Sequence, residues 1–137
     1  MIYAVIDTNV FVSALLSHHP DAATVQVVEA ISLDGLCPLY NDAILAEYEE
    51  VLGRTKFTFP ATSISTILSK VMNTGIAMKG IPSSEYFPDP SDVVFYEVAM
   101  SKEDAYLVTG NKKHFPDKPI VVTPAEMVEI LKDQGLL

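Results

Sequence analysis

The sequence predicts a three-layer α/β/α sandwich around a central parallel sheet, formed as one domain over residues 1–137. Short apolar runs at 2–6, 36–40, 105–108 and 120–122 lack polar alternation, as strands covered on both faces do. The segments between them carry apolar residues at helical spacing. Strands that alternate with helices pair in parallel and bury both sheet faces. A chain of 137 residues also falls within the roughly 100–200 residues of one domain.

Ile2 to Ile6 is the first strand and ends abruptly at Asp7-Thr8-Asn9. A short helix is expected from Val10 to Leu16, then His18-His19-Pro20-Asp21 as a break, then a helix from Ala22 to Leu33 closed by Gly35. Leu36 to Tyr40 is the second strand. Asn41 or Asp42 can cap a helix from Ala43 to about Leu52, stopped by Gly53. Thr62 or Ser63 can cap a helix over Ile64 to Met72, and Gly75 to Lys79 reads as an edge strand. Asp89-Pro90-Ser91-Asp92 is a helix start, with Asp89 at the cap, Pro90 at the first helical position and Asp92 in the first turn; this helix should reach Ser101. Ala105 to Val108 and Ile120 to Val122 are the last strands, and Pro124 to Gln134 is the closing helix.

Composition excludes several functions. At 49% apolar and 20% charged residues the chain can bury a core, so a disordered segment is not expected. Its apolar runs stay under about ten residues, short of the ~20 that cross a bilayer, and MIYAVID has no basic signal region, so no membrane partner and a cytoplasmic location are expected. Cys37 is the only cysteine and cannot form an intrachain disulfide; it reads as a small core residue. Nine basic residues against 18 acidic give a net charge of −9, which argues against nucleic-acid binding through a broad cationic surface. The excess carboxylates either solvate the surface or converge where a divalent cation offsets their repulsion.

Ligands of parallel sheets bind beyond the carboxyl ends of the strands, where Asp7 and Asn111 fall. Asp7 also suits a helix cap, and Asn111 a turn after Gly110. On the helix after the second strand, Ile44, Tyr48, Val51 and Leu52 form the core stripe. At about 100° per residue, Glu47 lies roughly 90° from that stripe, on its border, whereas Glu49 and Glu50 point further toward solvent. Asp89 and Asp92 equally suit a helix N-terminus. Glu97 stands in an otherwise apolar helix and needs a partner, for which Lys102, a hydroxyl or a supporting role at the site are candidates. His18-His19 lacks any partner spacing and reads as loop. Asp7, Glu47, Asp92 and Asn111 could meet at one sheet edge, and oxygen ligands of that type select Mg²⁺ or Mn²⁺.

Asp7-Thr8-Asn9, Ala46 to Leu52, Asp89-Pro90-Ser91-Asp92 with Glu97, and Leu107 to Asn111 together resemble the four acidic blocks of PIN domains, in order, from Ile2 to about Val122. The subgroup it most resembles is the PIN toxins of toxin–antitoxin pairs. The resemblance implies a Mg²⁺- or Mn²⁺-dependent ribonuclease with Asp7, Glu47 and Asp92 as acidic metal ligands. Thr8, Asn9 and Thr109 would be supporting polar residues, with Asp89 in the third block and Glu97 as an acidic neighbour. The sequence departs at Asn111, where the family usually carries aspartate; an amide oxygen can still coordinate a hard cation, directly or through water. RNA as substrate, an antitoxin protein as partner and a homodimer are further implications. Arg54, Lys56, Lys112, Lys113 and His114 are the basic residues nearest these blocks and are candidates to hold the RNA backbone.

Two other functions fit part of the pattern. An aspartyl phosphotransferase would also place Asp after the first strand, but Asn9 stands where dehalogenase-type phosphatases need a second Asp, and no acidic pair suits a receiver. A degenerate PIN-like domain that binds a protein or RNA without cleaving is favoured by Asn111 and the −9 charge.

Overall fold

A computed structural model describes residues Met1–Leu137. Five strands, β1 (Ile2–Ile6), β2 (Leu36–Tyr40), β3 (Ile76–Ala77), β4 (Tyr106–Val108) and β5 (Val121–Val122), form one sheet in the order β3-β2-β1-β4-β5, every neighbouring pair parallel. Six helices flank it: α1 (Thr8–Leu16), α2 (Ala23–Ser32), α3 (Asp42–Leu52), α4 (Ala61–Thr74), α5 (Val93–Ala99) and α6 (Pro124–Asp133). The expected parallel α/β architecture is therefore present. No helix is long and apolar enough to cross a membrane.

The connection order matters for the site. From β1 the chain winds outward through β2 to β3, then returns to β4 on the other side of β1. The crevice at such a reversal, beyond the carboxyl ends of β1 and β4, is where open parallel sheets bind ligands. Asp7 and Thr109 are the residues that follow β1 and β4 directly.

The core is one cluster of 30 buried residues on which β1, β2, β4, β5 and the inner helix faces converge, while β3 stays exposed at the edge, with Ala4, Val5, Ile6, Leu36, Leu39 and Leu107 fully buried. Tyr48 on α3 is fully buried, sits edge-on to Phe11 with ring centroids 5.0 Å apart, and donates its hydroxyl to the carbonyl of Ile6. That bond fastens α3 to the end of β1, one residue before Asp7.

Several boundaries differ from the sequence expectation. α1 begins at Thr8 rather than Val10. α4 begins at Ala61, because the carbonyl of Pro60 accepts from the N–H groups of Ser63 and Ile64; neither Thr62 nor Ser63 caps it. Asn41 does cap α3, accepting from the Ile44 N–H at 2.9 Å. The helix start at Asp89 divides into a 3-10 turn (Pro90–Asp92) and α5, which stops at Ala99 instead of Ser101. The edge strand shrinks to Ile76–Ala77, preceded by Gly75, whose Cα faces the carbonyls of Pro38 and Val71 so closely that a Cβ would overlap both oxygens. Gly75→Ala should therefore lower stability by about 3 kcal/mol through forced overpacking, read as a lowered urea midpoint at unchanged slope.

Candidate metal centre

Asp7 is 7% exposed at the carboxyl end of the central strand. It occupies the N-cap position of α1 yet makes no side-chain cap. Its Oδ2 instead accepts from the Thr109 hydroxyl at 2.7 Å and the Asn9 amide at 3.0 Å. The capping role open to Asp7 in the sequence is thus unused, and the carboxylate turns toward β4. Burial raises its pKa above the ordinary carboxylate value, and the Thr109 hydroxyl pulls it partly back.

Thr109 is fully buried and joins two parts of the site: the oxygen that donates to Asp7 accepts from the Asn111 N–H at 3.0 Å. Asn9 bridges the same loops, since its Oδ1 accepts from the Gly110 N–H at 3.2 Å. The buried Thr8 hydroxyl has no hydrogen-bond partner.

Asp92 lies at the junction of the 3-10 turn and α5, with its side chain 14% exposed. Its pKa is pushed up to about 6, first by burial and then by the negative charges of Asp7 and Asp89, with Glu47 adding to them. Glu47 is half-buried on α3, while Glu49 and Glu50 are exposed, as the angular reading of the helix expected. Burial raises the Glu47 pKa, and Glu50, Asp89 and Asp7 push in the same direction against Arg54. Asp7, Glu47, Asp89 and Asp92 therefore share one electrostatic neighbourhood. Asp89 is exposed and accepts from the Ser91 N–H and hydroxyl, which lowers its pKa.

His114 completes the rim. It ends the 3-10 turn Lys112–His114, with Nδ1 3.4 Å from Asp92 Oδ2 and Nε2 2.9 Å from Asn111 Nδ2. In the sequence His114 is only a basic residue near an acidic block; the closure onto Asp92, 22 positions earlier, carries no periodic signal.

Glu97 does not join this group. Its carboxylate accepts from the Ser83 N–H at 2.7 Å, and its backbone carbonyl accepts from Ile81. Lys102, one partner the sequence suggested, lies over the Tyr3 ring at 4.0 Å instead. Glu97 is an anchor for the segment that precedes Asp89. Among the basic residues, Arg54 is paired with Glu50 at 2.8 Å and Lys112 with Glu126 at 3.3 Å, both on the surface. Lys56 sits over the Phe57 ring at 5.1 Å, and Lys113 is exposed.

The donor set suits a hard divalent cation. Three carboxylates that raise or resist one another's ionisation gain most from a cation, and the buried Asp92 Oδ2 has no hydrogen-bond donor. No three His, Cys, Asp or Glu side chains stand at full coordinating spacing, so the grouping is one of field and orientation, with Asp92 and His114 the nearest pair. Glu47→Gln should weaken Mn²⁺ binding at least about tenfold, while Glu49→Gln and Glu50→Gln leave it within about twofold, because of the three only Glu47 is half-buried and shares the field of Asp7 and Asp92. Titration calorimetry on the three variants checks this; equal losses would mean that Glu47 does not face the site.

No curated protein and no solved structure matches the chain. A family model described as PIN domain matches residues 3–113, which include every residue of the acidic rim from Asp7 to Asn111. The chain belongs to the PIN domain family, whose members are in general nucleases that use divalent metals.

Proposed function

We propose that the protein is a Mg²⁺- or Mn²⁺-dependent endoribonuclease that acts as the toxin of a toxin–antitoxin pair. The observation that carries the nuclease reading is the Asp7 carboxylate, buried at the central strand's end, held by the Thr109 hydroxyl and the Asn9 amide with no cationic side chain bonded to it, in the field of Asp92 and Glu47. The toxin role, an antitoxin partner and a homodimer rest on the likeness of the four acidic blocks to that group.

Asp7, Glu47 and Asp92 would hold the cation, with Asn111 at the position of the fourth block. A divalent ion held there would supply Lewis acidity toward water and positive charge beside the phosphodiester. Thr109 and Asn9 fix the Asp7 carboxylate so that little ordering remains at the moment of binding. Tyr48 and the buried end of β1 keep α3, and with it Glu47, at a set distance from Asp7. Lys113, exposed and without an ion pair in the turn that carries His114, can meet the RNA backbone. No nucleophilic side chain is required.

The test is cleavage of unstructured RNA by the full chain with Mn²⁺ or Mg²⁺, and its loss on chelation. Metal-dependent cleavage supports the reading. Absence of both cleavage and Mn²⁺ binding would favour the second reading, a PIN domain that binds a partner without cutting, to which the neutral amide of Asn111 already leans.

A further inference from the structure

The side chain of His114 is placed by the chain itself. Residues three apart eclipse on a 3-10 turn, so Asn111 and His114 face one another across the turn, tied by the bond from the His114 N–H to the Asn111 carbonyl at 3.2 Å. The next residue, Phe115, is buried and packs edge-on against Phe87, with ring centroids 6.2 Å apart. Phe87 lies just before Asp89, so one aromatic contact locks the histidine turn to the segment that delivers Asp92. The result is a ring whose two nitrogens face different partners: Nδ1 toward Asp92 Oδ2 at 3.4 Å, Nε2 toward the Asn111 amide at 2.9 Å.

Two neighbouring donors on an octahedral cation, each about 2.1–2.3 Å from it, stand about 3.0–3.3 Å apart. Asp92 Oδ2 and His114 Nδ1 are close to that spacing, and the oxygen has no hydrogen-bond donor to give up. We propose that His114 Nδ1 is a ligand of the divalent cation and that Asn111 is a positioning residue that acts on the opposite ring nitrogen. This rests on the nuclease reading above and changes the part played by the fourth block. The proton then resides on Nε2, and the Asn111 amide, turned by half a rotation, presents Oδ1 as acceptor. A ligating imidazole commonly donates its other N–H to a carbonyl or carboxylate, which fixes tautomer and ring plane. A neutral amide supplies that acceptor without adding a further negative charge beside Asp7, Glu47 and Asp92. The donor set becomes three carboxylates and one imidazole, which favours Mn²⁺ over Mg²⁺ more strongly than oxygen ligands alone.

Pulsed electron paramagnetic resonance on the full chain loaded with Mn²⁺ tests this without reference to catalysis. Wild type should show the ¹⁴N modulation of a coordinated imidazole, and His114→Gln should lose it while keeping weaker Mn²⁺ binding. Asn111→Asp should keep the modulation, since a carboxylate also accepts from Nε2–H, whereas Asn111→Leu should weaken Mn²⁺ affinity about 10- to 100-fold. In calorimetry, His114→Gln should narrow the Mn²⁺ preference over Mg²⁺. Bound Mn²⁺ without ¹⁴N modulation in wild type, or modulation that persists in His114→Gln, overturns the proposal and leaves the nuclease reading standing. Failure of wild type to bind Mn²⁺ at all overturns both. The wild-type spectrum decides even if a variant does not fold.

Discussion

Asp92→Asn should stabilise the protein at pH 7 and, in the same step, abolish its response to divalent cations. Asp92 ionises at about 6 in the fold against an ordinary value of 3.8, so the folded state holds the proton more tightly than the unfolded one. Its contribution to stability is fully present below about pH 4 and is lost as the pH rises to about 6. Above that, the ionised side chain costs about 1–2 kcal/mol after allowance for solvent screening. Asparagine removes that cost. Thermal melts with chelator should show a wild-type Tm that falls between pH 4 and 6.5 and a much flatter curve for the variant. The raised values of Asp7 and Glu47 act in the same direction, while the lowered ones of Asp89 and Glu126 act oppositely, at and below the acid end of that window. Added Mn²⁺ should raise the wild-type Tm at pH 7 and leave that of the variant unchanged. A variant that melts lower than wild type at pH 7 would show that Asp92 has a donor in solution and is not held for a cation.

Asp7→Ala should lower metal-dependent RNA cleavage at least about a hundredfold, the largest loss expected from any single position. The buried carboxylate is a proposed ligand and also the acceptor that orders Thr109, and through it the Asn111 backbone. Asp7→Asn keeps an oxygen for the Thr109 hydroxyl and should fold at least as well as wild type at neutral pH, because it discards a desolvated charge. Cleavage assays beside circular-dichroism melts separate the two effects. Cleavage by Asp7→Asn at the wild-type rate, in a preparation shown to be free of host nuclease, would remove Asp7 from the chemistry.

Much of this fold was legible because the informative residues are local. Ile2 to Ile6 and Leu36 to Tyr40 are continuous apolar runs and are strands at those positions. The angle of Glu47 relative to Ile44, Tyr48 and Leu52 follows from helical geometry alone, and its half-buried state agrees with that. What escaped the reading depends on contacts between distant segments or on backbone acceptors. The start of α4 depends on the Pro60 carbonyl, which no side chain announces. Glu97 meets a backbone N–H 14 residues away, and a backbone donor leaves no mark in the sequence. The reach of His114 onto Asp92 follows from the packing of Phe115 on Phe87, which has no period in the sequence.

The anchor at Glu97 bounds the loop that leads to the acidic rim. From Met78 to Asp89 the chain has no helix or strand, and Tyr86 is 82% exposed. The segment is fastened at one end by Glu97, against whose Cβ Gly80 packs at 3.2 Å to the position of a Cβ of its own, and at the other by buried Phe87. With few buried apolar contacts between those two points, it can open at far lower free energy than the sheet. Asp89 and Asp92 follow directly on its far end, whereas Asp7 is rooted in the central strand. Asp7 is thus held by the sheet, and Asp89 and Asp92 follow the Phe87 anchor, so amide exchange should be slow around Asp7 and fast from Ser84 to Tyr86, beyond the bonded N–H groups of Ile81 and Ser83.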